Sequence, residues 1–114
     1  MTGDPAETNP ELYRVVLENE RVRILEYRDR PGDRTAPHRH PDTVMVTLTA
    51  FSRRISAGGR EVRVDLTAGE ARWVAAQEHS GENVGATPTH AFFIELKEPG
   101  GEPPGTALGP GLPA

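Results

Sequence analysis

The sequence predicts an all-β protein, a small antiparallel barrel or sandwich, on three observations. Short runs of β-branched and apolar residues recur about every 8–12 residues. Twelve glycines and eleven prolines among 114 residues separate these runs, too many for a helical bundle. No stretch repeats its apolar residues with the period of a helix face.

The elements follow in order. Residues 1–11 are polar, carry Pro5 and Pro10, and read as a flexible N-terminal arm or an edge strand given to a partner. Residues 12–17 are apolar and β-branched, and Glu18-Asn19-Glu20 reads as a turn. Val22, Ile24 and Glu26 then alternate with Arg21, Arg23, Leu25 and Tyr27, a strand with one wet face. Arg30-Pro31-Gly32-Asp33 is a turn by composition. Residues 43–51 are again β-rich, with Val44, Val46 and Leu48 opposed to Met45, Thr47 and Thr49. Two alternating runs, 53–56 and 61–66, flank Gly58-Gly59, which signals a hairpin. A strand starts at Trp73. Residues 90–97 form the last, with His90 in phase with Phe92, Ile94 and Leu96 on the face expected to look inward. Beyond residue 97 the chain is Gly, Pro and small residues, expected to be a disordered tail. That makes about eight strands in one domain, residues 12–97.

Composition narrows the function. Apolar residues make up 35% and charged residues 26%, with a formal net charge of −4 and no basic stripe, so nucleic acid is not an expected partner. The absence of cysteine excludes disulfides, thiolate metal sites and cysteine nucleophiles. No apolar run has the roughly 18 residues of a membrane span, and the first residues lack the basic and apolar parts of a signal peptide. A cytoplasmic protein without membrane attachment is the expectation.

The four histidines are His38, His40, His79 and His90. His38 and His40 lie two apart on an expected strand, so their side chains leave the same face, about 6–7 Å apart at the backbone. Two parallel imidazoles suit two adjacent positions on one divalent metal ion. Such a pair also occurs as exposed or hydrogen-bonded histidines. His79 is read as following a short strand and opening a loop, His79-Ser80-Gly81-Glu82-Asn83, with Asn83 bonding the loop backbone. His90, at a strand end, is a candidate general base or catalytic group, or else a satisfied structural histidine. Met45, Trp73, Phe92 and Phe93 are candidates for an apolar substrate pocket, with core packing as the alternative. Glu78 and Glu82 flank His79 and would carry protons or simply be solvated.

Gly32, five residues, then His38-Arg39-His40 resembles the first motif of the cupin superfamily, which continues to a Glu and a Gly. Gly69, then His79 and Asn83 after a short run, is similar to the second. The resemblance covers residues 20–97. It implies a double-stranded β-helix, or jelly roll, in which the two motif-one histidines, the glutamate and the motif-two histidine bind the metal. His38, His40 and His79 carry over. The glutamate does not: its place falls on Thr43 or, with a shorter loop, on Asp42, a possible substitute ligand. The closing glycine is Ala50, and the Pro-x-Gly of the second motif reads Val74-Ala75-Ala76.

Three arrangements stay open: three histidines with water positions, a fourth ligand from Asp42, or a degenerate site without metal. Fe, Zn, Ni, Mn and Cu all suit imidazole. Losing the carboxylate leaves a more positive centre with one more free position, which suits a Lewis acid or an anionic substrate. The resemblance thus implies dioxygenase-, isomerase- or lyase-type chemistry on a small oxygenated organic molecule. The competing reading is a non-catalytic module that binds a small ligand or metal. Small barrels of this type also imply a homodimer through an edge strand or the N-terminal segment.

Overall fold

The computed structural model describes residues 3–97; the expected tail from residue 98 lies outside the described residues. A helical turn, α1 (Pro5–Thr8), precedes nine strands: β1 (Tyr13–Glu18), β2 (Val22–Asp29), β3 (His38–His40), β4 (Thr43–Thr47), β5 (Phe51–Ala57), β6 (Arg60–Leu66), β7 (Ala71–Val74), β8 (Gln77–Asn83) and β9 (Thr89–Leu96). They form a five-stranded sheet, β1-β2-β9-β4-β7, and a four-stranded sheet, β3-β8-β5-β6, with every named pairing antiparallel. The expected all-β barrel of jelly-roll type is the fold observed. No helix among the described residues is long and apolar enough to cross a membrane.

Local chemistry explains the elements. Ala57 pairs with Arg60 across the two-residue turn Gly58-Gly59, whose φ values of 55° and 78° only glycine adopts cheaply. The run expected as one strand over 43–51 is instead two strands in different sheets. The chain crosses between them at 48–50, a corner that Thr49 holds by donating to the Pro88 carbonyl and accepting from the His90 amide.

Residues 3–11, expected to be an arm, instead pack on the barrel. Asp4 caps α1 by accepting from the Ala6 amide and takes both terminal nitrogens of Arg23. The Arg39 amide donates to the Gly3 carbonyl. Ala6 and Leu12 pack against the buried cluster of Tyr13, Leu25 and Tyr27. Two ion-paired nitrogens and this apolar contact hold a segment whose composition alone reads as loose.

A second correction concerns which faces look inward. On β2 the interior face is Arg23, Leu25, Tyr27 and Asp29, aligned with Glu95, Phe93, Ala91 and Thr89 of β9. Val22, Ile24 and Glu26, together with His90, Phe92 and Ile94, take the opposite face. Arg23 and Glu95 are paired at 2.7 Å, so the inner face of β2 and β9 buries charge beside Leu25 and Phe93 while Val22, Ile24 and Ile94 lie on the other face. At the sheet edge, β1 buries Tyr13 and leaves Val15, Val16 and Leu17 exposed.

Candidate metal centre

His38 stands directly opposite His79 in the β3–β8 register. Cross-strand partners share a face, and His40, two residues along, shares it too. The strand geometry alone therefore brings the three rings together. Ring centroids are 4.7 Å apart for His38–His40, 4.9 Å for His38–His79 and 5.3 Å for His40–His79. One ligand nitrogen from each lies within 4.8 Å of the others. His79 sits inside β8 and not in a loop, because 77–83 pair with β3 and β5 on either side.

Each ring is oriented by its Nδ1. That of His38 donates to the Ala36 carbonyl at 2.9 Å, and that of His40 donates to Glu95 Oε2 at 3.1 Å. That of His79 donates to Gln77 Oε1 at 2.6 Å, and the Gln77 amide is fixed in turn by donating from Nε2 to the Ala75 carbonyl. With Nδ1 protonated, Nε2 of each neutral ring keeps its lone pair. The Nε2 atoms of His38 and His40 are buried and have no hydrogen-bond partner among the described residues.

Burial disfavours the charged form of two of the rings, His38 and His79. Burial, then the neighbouring His40, pushes His38 down to about 4. Burial, then His40 and His38, pushes His79 down to about 3. Neutral imidazole is the form that binds metals.

The cluster opens onto a cavity of about 300 Å³ lined by His38, His79, Tyr13, Arg53 and a mostly apolar wall. Met45, Trp73 and Phe93 belong to that wall, and Trp73 is 59% exposed. Phe92 does not line it, since it lies on the outer face of β9.

Two further site expectations meet different surroundings. Asp42 is outside the histidine group: its carboxylate accepts from the Ala76 amide at 2.9 Å, its short side chain spent on the adjoining turn. His90 faces away from the cavity, and its Nε2 bonds Glu26 Oε2 at 2.7 Å. Its apolar neighbours Phe92 and Ile94 suggest an inward phase, whereas the buried charge of β9 sets the face that looks inward. Of the acids beside His79, Glu78 is exposed and Glu82 pairs with Arg34 and Arg54. Asn83 accepts from the Gly85 amide and donates to the Thr87 carbonyl, closing the loop after β8.

Sequence reasoning missed Glu95, Tyr13 and Arg53. Glu95 is 3% exposed and holds both His40 and Arg23. Tyr13 packs on His38 and His40, with centroids 5.6 and 6.2 Å away. Arg53 lies 5.0 Å over the Tyr27 ring and pairs with the fully buried Asp29 carboxylate. The available signal was a charged residue recurring within an apolar strand phase.

No family model matches the chain, and no curated protein matches it. Among solved structures it is similar to a cupin domain from Bordetella pertussis Tohama I, with 30% identity and a TM-score of 0.72, covering 86% of this chain and 99% of that one. A protein with a double-stranded β-helix domain from Klebsiella pneumoniae shares the fold at 21% identity and a TM-score of 0.62, over 89% of this chain and 84% of that one. So does an RmlC-like cupin family protein from Methanocaldococcus jannaschii, at 10% identity and a TM-score of 0.62, over 75% of this chain and 78% of that one. With the two-sheet barrel, the paired histidine motifs and a relative matched over nearly its whole length, this chain belongs to the cupin superfamily.

Proposed function

We propose that this cupin holds one divalent transition metal on His38, His40 and His79 and uses it to bind and activate a small oxygenated organic molecule in the adjoining cavity. The observation that carries this reading is the pair of buried, unpartnered Nε2 atoms on His38 and His40. A buried polar atom without a partner costs about 1–3 kcal/mol. Here Nδ1 of each ring is spent on a protein acceptor, Nε2 is left over, and one ring nitrogen of each histidine lies within 4.8 Å of the others. A cation is the partner that answers several lone pairs held this close together.

When bound, such a metal supplies Lewis acidity and open coordination positions, consistent with dioxygenase-, isomerase- or lyase-type reactions. The protein's part is to keep His38 and His79 neutral, to orient all three rings through their Nδ1 hydrogen bonds and to surround the site with an apolar wall. A non-catalytic ligand-binding module is the second reading. It is favoured by the outward position of His90, which leaves the cavity without that candidate base.

Elemental analysis of untagged full chain beside His40→Ala and His79→Ala tests the centre. Wild type is expected near one metal per chain and each variant near none. A variant at full occupancy removes its histidine from the ligand set. O₂- or substrate-dependent change in the metal's spectrum would separate the enzyme from the module. We also propose a homodimer through β1, whose exposed Val15, Val16 and Leu17 lie at a sheet edge. Light scattering of the full chain should give twice the chain mass, and a monomer's mass would remove this assembly.

A further inference from the structure

Arg53 is 8% exposed, yet only part of its guanidinium is used. Nη1 bonds Asp29 and Thr89, while Nε and Nη2 make no hydrogen bond to any described residue. The Tyr13 hydroxyl is likewise unbonded among the described residues, although the residue is 5% exposed. None of these atoms is sealed in protein, and both residues line the cavity of the histidine cluster. Satisfying Asp29 does not need the second edge of the guanidinium, because Tyr27, Asn83 and the Thr89 amide also donate to that carboxylate.

Arg53 is also held next to the histidines. An added Cβ at Gly81 would lie 2.6 Å from Arg53 Nη2, so the guanidinium rests directly on this glycine. Gly81 follows His79 by two residues on β8, one strand repeat away, about 6–7 Å along the backbone. A planar fork of N–H donors, with a phenol nearby and an apolar wall behind, matches a carboxylate on a small apolar body.

We propose that the ligand of this site is a small organic carboxylate. Its carboxylate bonds Arg53 Nε and Nη2 with help from the Tyr13 hydroxyl, a second oxygen faces the histidine Nε2 atoms, and its apolar body fills the wall beside Met45 and Phe93. This assignment rests on the proposed metal centre for the second oxygen but not for the carboxylate.

The test is calorimetric titration of the full chain, with and without Zn²⁺, using acetate, benzoate, salicylate and the neutral salicylamide. Wild type is expected to bind salicylate at least about tenfold more tightly than salicylamide, the loss expected when a charge-assisted hydrogen bond is removed. Arg53→Lys, which keeps the charge beside Asp29, should weaken salicylate by about tenfold because it loses the fork. Tyr13→Phe should weaken it by a smaller factor, and both variants should keep the wild-type zinc content. Equal affinity for salicylate and salicylamide, wild-type affinity in zinc-replete Arg53→Lys, or no binding of any carboxylate overturns the proposal. If wild type takes up none of Zn²⁺, Fe²⁺, Mn²⁺, Ni²⁺ and Cu²⁺, the metal centre fails. An Arg53-dependent preference for carboxylate over amide in the metal-free chain would then still uphold the subsite, and its absence would overturn that as well.

Discussion

His40 Nδ1 donates to Glu95 Oε2 at 3.1 Å across 55 positions of sequence, with both side chains almost fully buried. The carboxylate fixes the ring's tautomer and orientation, the arrangement expected of a residue behind a metal ligand. Glu95→Gln should therefore weaken metal binding by about 10–100-fold while the three histidines remain in place. Competition titration against a chelator checks this; unchanged affinity would make Glu95 only the partner of Arg23.

Acid should destabilise the metal-free protein. Burial holds folded His38 at about 4 and folded His79 at about 3, against about 6.5 for free imidazole. The unfolded chain therefore binds more protons as pH falls below about 6.5, and stability drops until the folded rings also protonate. Between pH 7 and pH 5 the loss is on the order of 2 kcal/mol per ring. Urea unfolding of chelator-treated protein at the two pH values measures it, and equal midpoints would contradict the burial of these rings.

Gly81→Ala should destabilise the barrel by about 1–3 kcal/mol. The new Cβ would meet Arg53 Nη2 at 2.6 Å, and Arg53 is a long side chain that its bond to Asp29 prevents from moving aside. Denaturant unfolding gives the number. A neutral substitution would mean the guanidinium has room to shift.

His90→Ala should leave metal content untouched and change stability by less than about 1 kcal/mol. Its side chain is 23% exposed, and Glu26 retains Arg14 and Arg28 after the change. Loss of metal in this variant would place His90 nearer the centre than its bond to Glu26 allows.

The histidine cluster was legible because a strand has a period of two: His38 and His40 had to share a face, whatever the rest of the barrel did. Gly58-Gly59 was legible because few turns tolerate two positive φ values in a row. The faces of β2 and β9 were not, since both phases of each strand carry apolar residues. Arg23, Asp29 and Glu95 read as a wet face until their partners, Asp4, Arg53 and His40, are seen beside them. Those partners lie 19 to 55 positions away, and no local pattern encodes a pairing at that range. Asp42 misled for the opposite reason: its nearness in sequence to His40 hid a use in capping the Ala76 amide.

Trp73 is the chain's one tryptophan, and it stands at the rim of the cavity with 59% of its surface in water. Its indole emission therefore comes from a single place, beside the proposed ligand's way in. Occupation of the cavity will dehydrate that ring and shift its fluorescence to the blue, while a paramagnetic ion nearby will quench it. The molecule carries its own optical gauge of filling, readable in dilute solution without any label.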